Sequence, residues 1–263
     1  MSDRDETMNY QRFAMLPELL SLQRPLSEPP EHDEMLFIIV HQVHELWFKA
    51  ALHELDHART LLVRGDEARV AATLKRVRSI LKVLVGQLDI LETMTPVEFE
   101  SFRDRLDTAS GFQSAQFREL EFALGIKRAS VLKTFPDPDE HRRLKRRLEE
   151  PSLWDAFLRF LVGRGYEVPE RALTRDVTEP VAPDPEMQRV LVDAYRSDPG
   201  LINLCERLVD LDEGFQEWRY RHIKMVERTI GNKPGTGDSA GVAYLVTTMT
   251  AAFPDLWEMR SAL

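Results

Sequence analysis

Apolar residues recur every three or four positions along nearly all of this chain, and alternating β-branched runs bounded by hairpin turns are missing. That period belongs to a helix face, so it predicts an all-α fold, a helical bundle-like domain with long helices. The most informative instance is Met35-Leu36-Phe37-Ile38-Ile39-Val40-His41-Gln42-Val43-His44-Glu45-Leu46-Trp47-Phe48-Lys49. Its first half is apolar, and a histidine then interrupts the run one turn after an aromatic ring. Phe37 and His41 share a face that His44, Glu45 and Phe48 continue. A buried imidazole is a costly replacement for leucine, so His41 is either a core histidine bonded to a neighbour or a ligand, acid-base or cofactor-pocket residue.

The length, 263 residues, is enough for a sizeable core. A net charge of -9 argues against a nucleic-acid partner, whose electrostatic counterpart is basic. The richest basic run, Arg142-Arg143-Leu144-Lys145-Arg146-Arg147, precedes Glu149-Glu150 and reads as the solvated face of a helix. The lone cysteine, Cys205, excludes an intrachain disulfide and suits a reducing cytoplasm. No stretch approaches eighteen uncharged apolar residues, and the charged opening segment does not resemble a signal peptide, so a cytoplasmic protein without a membrane partner is expected.

A short helix is predicted over residues 10–22, followed by an extended connector through Pro25, Pro29 and Pro30. Residues 1–30 thus form one unit, a short helix and connector, and residues 31–263 a single all-α domain. Asp33 and Glu34 favour a helix start, and that helix runs to about Arg64 before Gly65 stops it. Further helices are expected over 67–92, 95–106, with a Thr95/Glu98 capping box around Pro96, and 114–127. The basic helix follows, then one opened by Pro151-Ser152 and closed at Gly163. Residues 167–185 hold four prolines and little periodicity, so they read as a surface loop. A long helix covers about 201–230, and a last one about 242–251. Between these two, four glycines in the eleven residues 231–241 mark a loop that bends sharply and brings backbone N–H groups close to a partner.

Two motifs compete for chemistry. His53-Glu54-Leu55-Asp56-His57 matches the H-E-x-x-H zinc pattern on a helix, but solvated residues on a charged outer face explain it better. Phe215, Trp218, His222 and Met225 form a stripe at spacings of three, four and three. Such a stripe alone is usually core. Paired with the Phe37/His41 stripe it suggests a flat aromatic ligand between helices, and a haem fits, with one imidazole on the iron and another opposite.

At these residues the chain resembles the tryptophan 2,3-dioxygenase family. The matching stretches are His32 to Ile39 with His41-Gln42 and Glu45 to Lys49, Leu91 to Pro96, Phe102-Arg103-Asp104, Ser110 to Ser114 with Gln116-Phe117, Arg219 to His222, and Gly235-Thr236-Gly237. The resemblance implies a homotetramer with noncovalent b-type haem, ferrous when active, using O2 to cleave the indole C2–C3 bond of L-tryptophan to N-formylkynurenine. It implies His222 as the axial iron ligand, His41 as the distal histidine facing the indole N–H, and Phe37 and Phe99 as pocket-lining rings. Arg103 becomes the clamp on the amino-acid carboxylate, assisted by Thr236. Ser110 and Gly111 become lining of the distal haem face, with Trp218 beside the cofactor, and Tyr10 and Phe13 become aromatics lent by a neighbouring subunit.

The chain also departs from the family pattern. Pro234, Asp238 and Ala240 alter the glycine loop, Phe13 lacks a hydroxyl usual at its position, and His44 replaces a small or aromatic residue. These changes surround the substrate more than the iron. They leave open a haem monooxygenase of the same superfamily that converts β-methyltryptophan, or another modified tryptophan, to a 2-oxindole in secondary metabolism.

Overall fold

The structure, a computed structural model, describes residues 7–107, 109–235 and 241–263. The single N-terminal helix expected over 10–22 is instead two one-turn pieces, α1 (Tyr10–Phe13) and α2 (Leu16–Leu19). They break at Met15, whose backbone is left-handed (φ 51°), and Pro17 in the first turn of α2 denies the junction a backbone donor. Neither piece buries a residue. Met8, Tyr10, Phe13 and Leu20 are each more than two-thirds exposed. The connector after them is fastened to the next helix. Leu26 N–H and Ser27 N–H donate to the buried Glu34 carboxylate at 2.6 and 3.1 Å, and Gln23 and Gln42 join side chain to side chain.

That helix, α3 (His32–Arg64), buries Val40, His44, Phe48, Ala51, Leu55, Ala58 and Leu62, a stripe at threes and fours. It ends where expected, with Gly65 left-handed (φ 73°) and Gly65 and Asp66 N–H groups closing on the last carbonyls. By length and composition α3 would also span a membrane, yet its buried stripe belongs to the main core. Next come α4 (Glu67–Leu91), α5 (Pro96–Arg103), α6 (Ala115–Leu124), α7 (Pro138–Glu149), α8 (Leu153–Gly163), α9 (Glu170–Leu173), α10 (Pro185–Ser197), α11 (Pro199–Ile230), α12 (Val242–Thr247) and α13 (Pro254–Glu258). No strand occurs among the described residues. The capping box on α5 is present: Thr95 Oγ1 accepts from Glu98 N–H, and Glu98 accepts from Thr95 N–H at 2.6 Å.

The long helix α4 packs against both α3 and α11, while α6 and α8 also pack on α3. The two long helices, α3 and α11, therefore face each other across a cavity and meet through His44, Phe48 and Trp218. Three sequence expectations need correction. The supposed loop over 167–185 contains the turn α9, and the helix expected to reach residue 251 stops at Thr247. The basic run is only partly solvated: Arg143 pairs with Glu119, and Arg147, largely buried, donates two bonds to Asp56. Its helix α7 turns Leu144 and Leu148 inward, so arginines one position away lie along the seam.

At the other end of the molecule, Asp212 on α11 is fully buried. Its carboxylate accepts from Ala252 N–H, Phe253 N–H and the Trp257 indole N–H at 2.9–3.1 Å, which ties the C-terminal segment to α11.

Candidate active site between the long helices

The cavity between α3 and α11 has a volume of about 220 Å³ and is closed at its ends by α5, the 110–117 segment and α12. It gathers most of the residues singled out in the sequence. Phe37, His41 and His44 enter from α3, Phe99 and Arg103 from α5, Ser110 and Gly111 from the turn before α6, and Trp218, His222 and Met225 from α11. Phe215, the fourth member of its stripe, sits below the cavity and stacks on Phe117 at 5.6 Å.

Each imidazole has a definable state. His222 makes no hydrogen bond among the described residues and stacks on the Trp218 indole, ring centroids 5.2 Å apart and planes 12° from parallel. Burial pushes its pKa down to about 4, and the fields of His44, His41, Arg118 and Arg219 act in the same direction. The ring is therefore neutral at neutral pH, with a nitrogen lone pair free. His41 Nδ1 lies 2.7 Å from the Phe37 carbonyl. A carbonyl only accepts, so Nδ1 carries the proton and Nε2 is left as an acceptor on the cavity side. Removal from bulk water lowers the His41 pKa, against the opposing pull of that hydrogen bond and of Glu45. His44 repeats the arrangement one turn on: Nδ1 bonds Val40 O at 2.8 Å, and buried Nε2 has no partner. Its pKa too is lowered by burial.

Around His41 the wall is aromatic. Phe37 contacts the His41 ring at 4.2 Å and the Phe99 and Phe102 rings at 5.7 and 5.5 Å. Beside this slot, Arg103 Nη2 donates to Pro234 O at 2.8 Å, which joins α5 to the leading limb of the glycine loop. The trailing limb returns at Gly241, where φ is +59° and an added Cβ would lie 3.0 Å from Lys233 O. Only glycine lets the two limbs approach so closely.

Thr236 lies outside the described residues. Tyr10 and Phe13 do not reach the cavity of their own chain. His53 and His57 are exposed, Glu54 is held by Arg76 at 2.8 Å, and no group of three His, Cys, Asp or Glu poised for a metal ion occurs among the described residues. The H-E-x-x-H pattern is thus a solvated helix face.

Sequence reasoning missed Arg118 and Tyr244 as cavity residues. Arg118 offered one usable signal, a cation in a short helix whose other positions are largely apolar or acidic, AQFRELEFAL. Tyr244 offered none.

The sequence profile of the tryptophan 2,3-dioxygenase family matches residues 1–165 and 170–263. Similar proteins named tryptophan 2,3-dioxygenase occur in Herpetosiphon aurantiacus, 53% identical over 258 residues that cover 98% of this chain and 99% of the relative, and in an Anaeromyxobacter species, 53% identical over 269 residues that cover 100% and 98%. A third, from Caulobacter vibrioides, is 46% identical over 264 residues, covering 98% of this chain and 99% of its own.

Proposed function

The chain belongs to the tryptophan 2,3-dioxygenase family, and we propose from that premise that it opens the indole ring of L-tryptophan at C2–C3 with O2, giving N-formylkynurenine on a b-type haem held by His222. The observation that carries this reading is one cavity flanked by a neutral, unbonded imidazole on α11 and an aromatic slot with an arginine on α3 and α5. The residues fit a haem. His222, with no set of carboxylates or thiolates grouped for a metal ion among the described residues, cannot by itself cage a bare metal ion, but it would suit an iron whose remaining ligands a porphyrin supplies. Trp218, stacked on His222, and Met225 furnish flat apolar contact beside it. When bound, the haem iron supplies the activation of O2 that amino-acid side chains lack.

The chain's own groups then orient the substrate. The indole lies against the aromatic wall of Phe37 and Phe99, its N–H donating to His41 Nε2. The amino-acid carboxylate meets Arg103, whose planar fork grips it bidentately. The glycine loop closes over the charged end and excludes water, with Thr236 assigned to that contact. His41 acts here as a positioning acceptor, because indole N–H is too weak an acid to be surrendered readily to a near-neutral imidazole. His41→Ala is expected to keep its haem and lose about tenfold in kcat/KM, the equivalent of one neutral hydrogen bond. Steady-state kinetics normalised to haem content tests this. A loss of about 100- to 10,000-fold at unchanged substrate affinity would make His41 an obligate proton carrier.

Assembly completes the pocket in this reading. The exposed apolar face of α1 and α2 is covered by docking on a neighbouring subunit of a homotetramer, which brings Tyr10 and Phe13 to the neighbour's slot. Deleting residues 1–22 should lower the solution mass seen by light scattering and raise KM for L-tryptophan, while the Soret band persists. Wild-type mass and wild-type kcat/KM together would refute the docking. The buried lone thiol of Cys205 accords with a reducing, cytoplasmic setting for this reading.

The decisive assay is product mass under isotopically labelled O2. L-tryptophan should gain two labelled atoms without stoichiometric reductant. A single labelled atom, a need for ascorbate and a preference for β-methyltryptophan would instead identify the oxindole-forming reaction, which the relatives' names do not favour.

A further inference from the structure

Glu121 on α6 has no exposed surface, and three guanidinium groups converge on it. Arg118 and Arg128 each approach a carboxylate oxygen at 2.7 Å, and Arg219 from α11 bonds the same group. Their remaining contacts are neutral: Arg118 to Phe112 O, Arg128 to Tyr244 OH at 2.9 Å, and Arg219 to Thr248 O. Among the described residues none of the three has a second carboxylate partner, so the described cluster carries two positive charges in excess. The Nε–H of each arginine is also buried without an acceptor. Arg128 keeps about a quarter of its side chain exposed, but Arg118 and Arg219 are buried, and buried cations in excess of the described carboxylates strongly favour an incoming anion.

The cavity lies where that anion must come from. Arg118, 4% exposed, lines it, with its guanidinium carbon 4.8 Å from the Phe112 ring centre and 5.3 Å from that of Phe117. Phe117 in turn contacts Trp218 at 4.8 Å, so the cluster adjoins the His222 side of the cavity. The other cation lining the cavity, Arg103, belongs to the opposite, α5 side and bonds the glycine loop. Glu45, the one carboxylate residue lining the cavity among the described residues, is occupied by Gln116 at 2.7 Å.

We propose that Arg118, backed by the Glu121–Arg128–Arg219 cluster, is the receptor for a propionate carboxylate of the porphyrin. This rests on the haem reading above. The two aromatic faces fix the guanidinium plane, Glu121 fixes one of its edges, and the excess charge is halved when the carboxylate arrives. The protein thus anchors its cofactor at two points, His222 for the metal and Arg118 for the periphery, and the second point distinguishes an acidic porphyrin from an esterified one.

The full chain should be loaded with iron protoporphyrin IX and, separately, with its dimethyl ester, as wild type, Arg118→Leu and Arg118→Lys. The readouts are Soret titration and the rate of porphyrin transfer to an apomyoglobin scavenger. Wild type should release the ester at least about tenfold faster than the free acid, in line with loss of a buried charge-assisted pair. Arg118→Leu should release both at one rate, close to that of the ester from wild type, and Arg118→Lys should fall between. The wild-type comparison alone decides the matter if the leucine variant does not fold: release of acid and ester within twofold of each other overturns the proposal. So does an Arg118→Leu protein of native circular dichroism that still discriminates as wild type does. If that variant discriminates normally yet loses L-tryptophan affinity but not tryptamine affinity, the carboxylate served is the substrate's, and the proposal also falls. Failure of wild type to bind either porphyrin removes the haem reading itself.

Discussion

Replacing His222 by alanine should cost more than about 100-fold in haem retention, since changing even an outer partner of a metal ligand typically costs about 10- to 100-fold. Two features of the structure make the effect specific. With a pKa of about 4, the imidazole keeps its lone pair available throughout the neutral range. The ring is also held by stacking on Trp218 rather than by a hydrogen bond that would survive as an alternative anchor. The variant purified from haem-replete cells should show a weak or absent Soret band, no histidine-type ferrous spectrum and no turnover. Added imidazole should restore part of the absorbance by filling the vacated volume. Normal haem content with an unchanged ferrous spectrum would move the iron ligand elsewhere, with His41 and His44 the remaining candidates in the cavity.

Arg103→Ala should produce the second-largest loss. Truncating one partner of a desolvated, charge-assisted pair costs about 2–5 kcal/mol, or about 30- to several-thousand-fold in kcat/KM for L-tryptophan. In the ligand-free chain Arg103 also donates to Pro234 O, so the same change releases the leading limb of the glycine loop. The two effects separate with tryptamine. Loss of the carboxylate grip spares that decarboxylated analogue, whereas a loosened loop penalises both compounds. Arg103→Lys should recover only part of the activity, because an ammonium offers a point charge where the carboxylate wants a planar pair of donors. Equal losses for tryptophan and tryptamine would take Arg103 out of the carboxylate site.

The long elements were legible because several local signals agreed on each. The α3 stripe, its acidic start and Gly65 all point to one helix with one end, and the Thr95/Glu98 box sets the start of α5. Prolines caused the omissions. Pro185, Pro199 and Pro254 each stand in the first turn of a helix, where a missing N–H costs nothing, so a proline-rich stretch read as loop conceals the start of α10. The N-terminal error has a different origin: the apolar residues of 10–22 have no core to face, and periodicity without burial does not hold a helix together. The site divides in the same way. His41 and His222 were visible because each sits in an aromatic stripe on its own helix. The Glu121 cluster was not, because Arg219 lies 98 positions from Glu121, and charges read singly look like solvated ones.

The fastening of Asp212 gives the chain an order of completion. This buried carboxylate sits ten residues before His222 on the same helix, and apart from the Gln216 side-chain amide at 3.1 Å its donors come from residues 252–257. Without that segment α11 carries a buried carboxylate answered by a single side-chain amide, so the helix settles into the core only once residues 252–257 have folded onto it. The helix that presents His222 is thus set in place by a segment that contributes nothing to the cavity wall, and breaking the contacts of residues 252–257 would disturb the His222 stripe without removing one cavity residue.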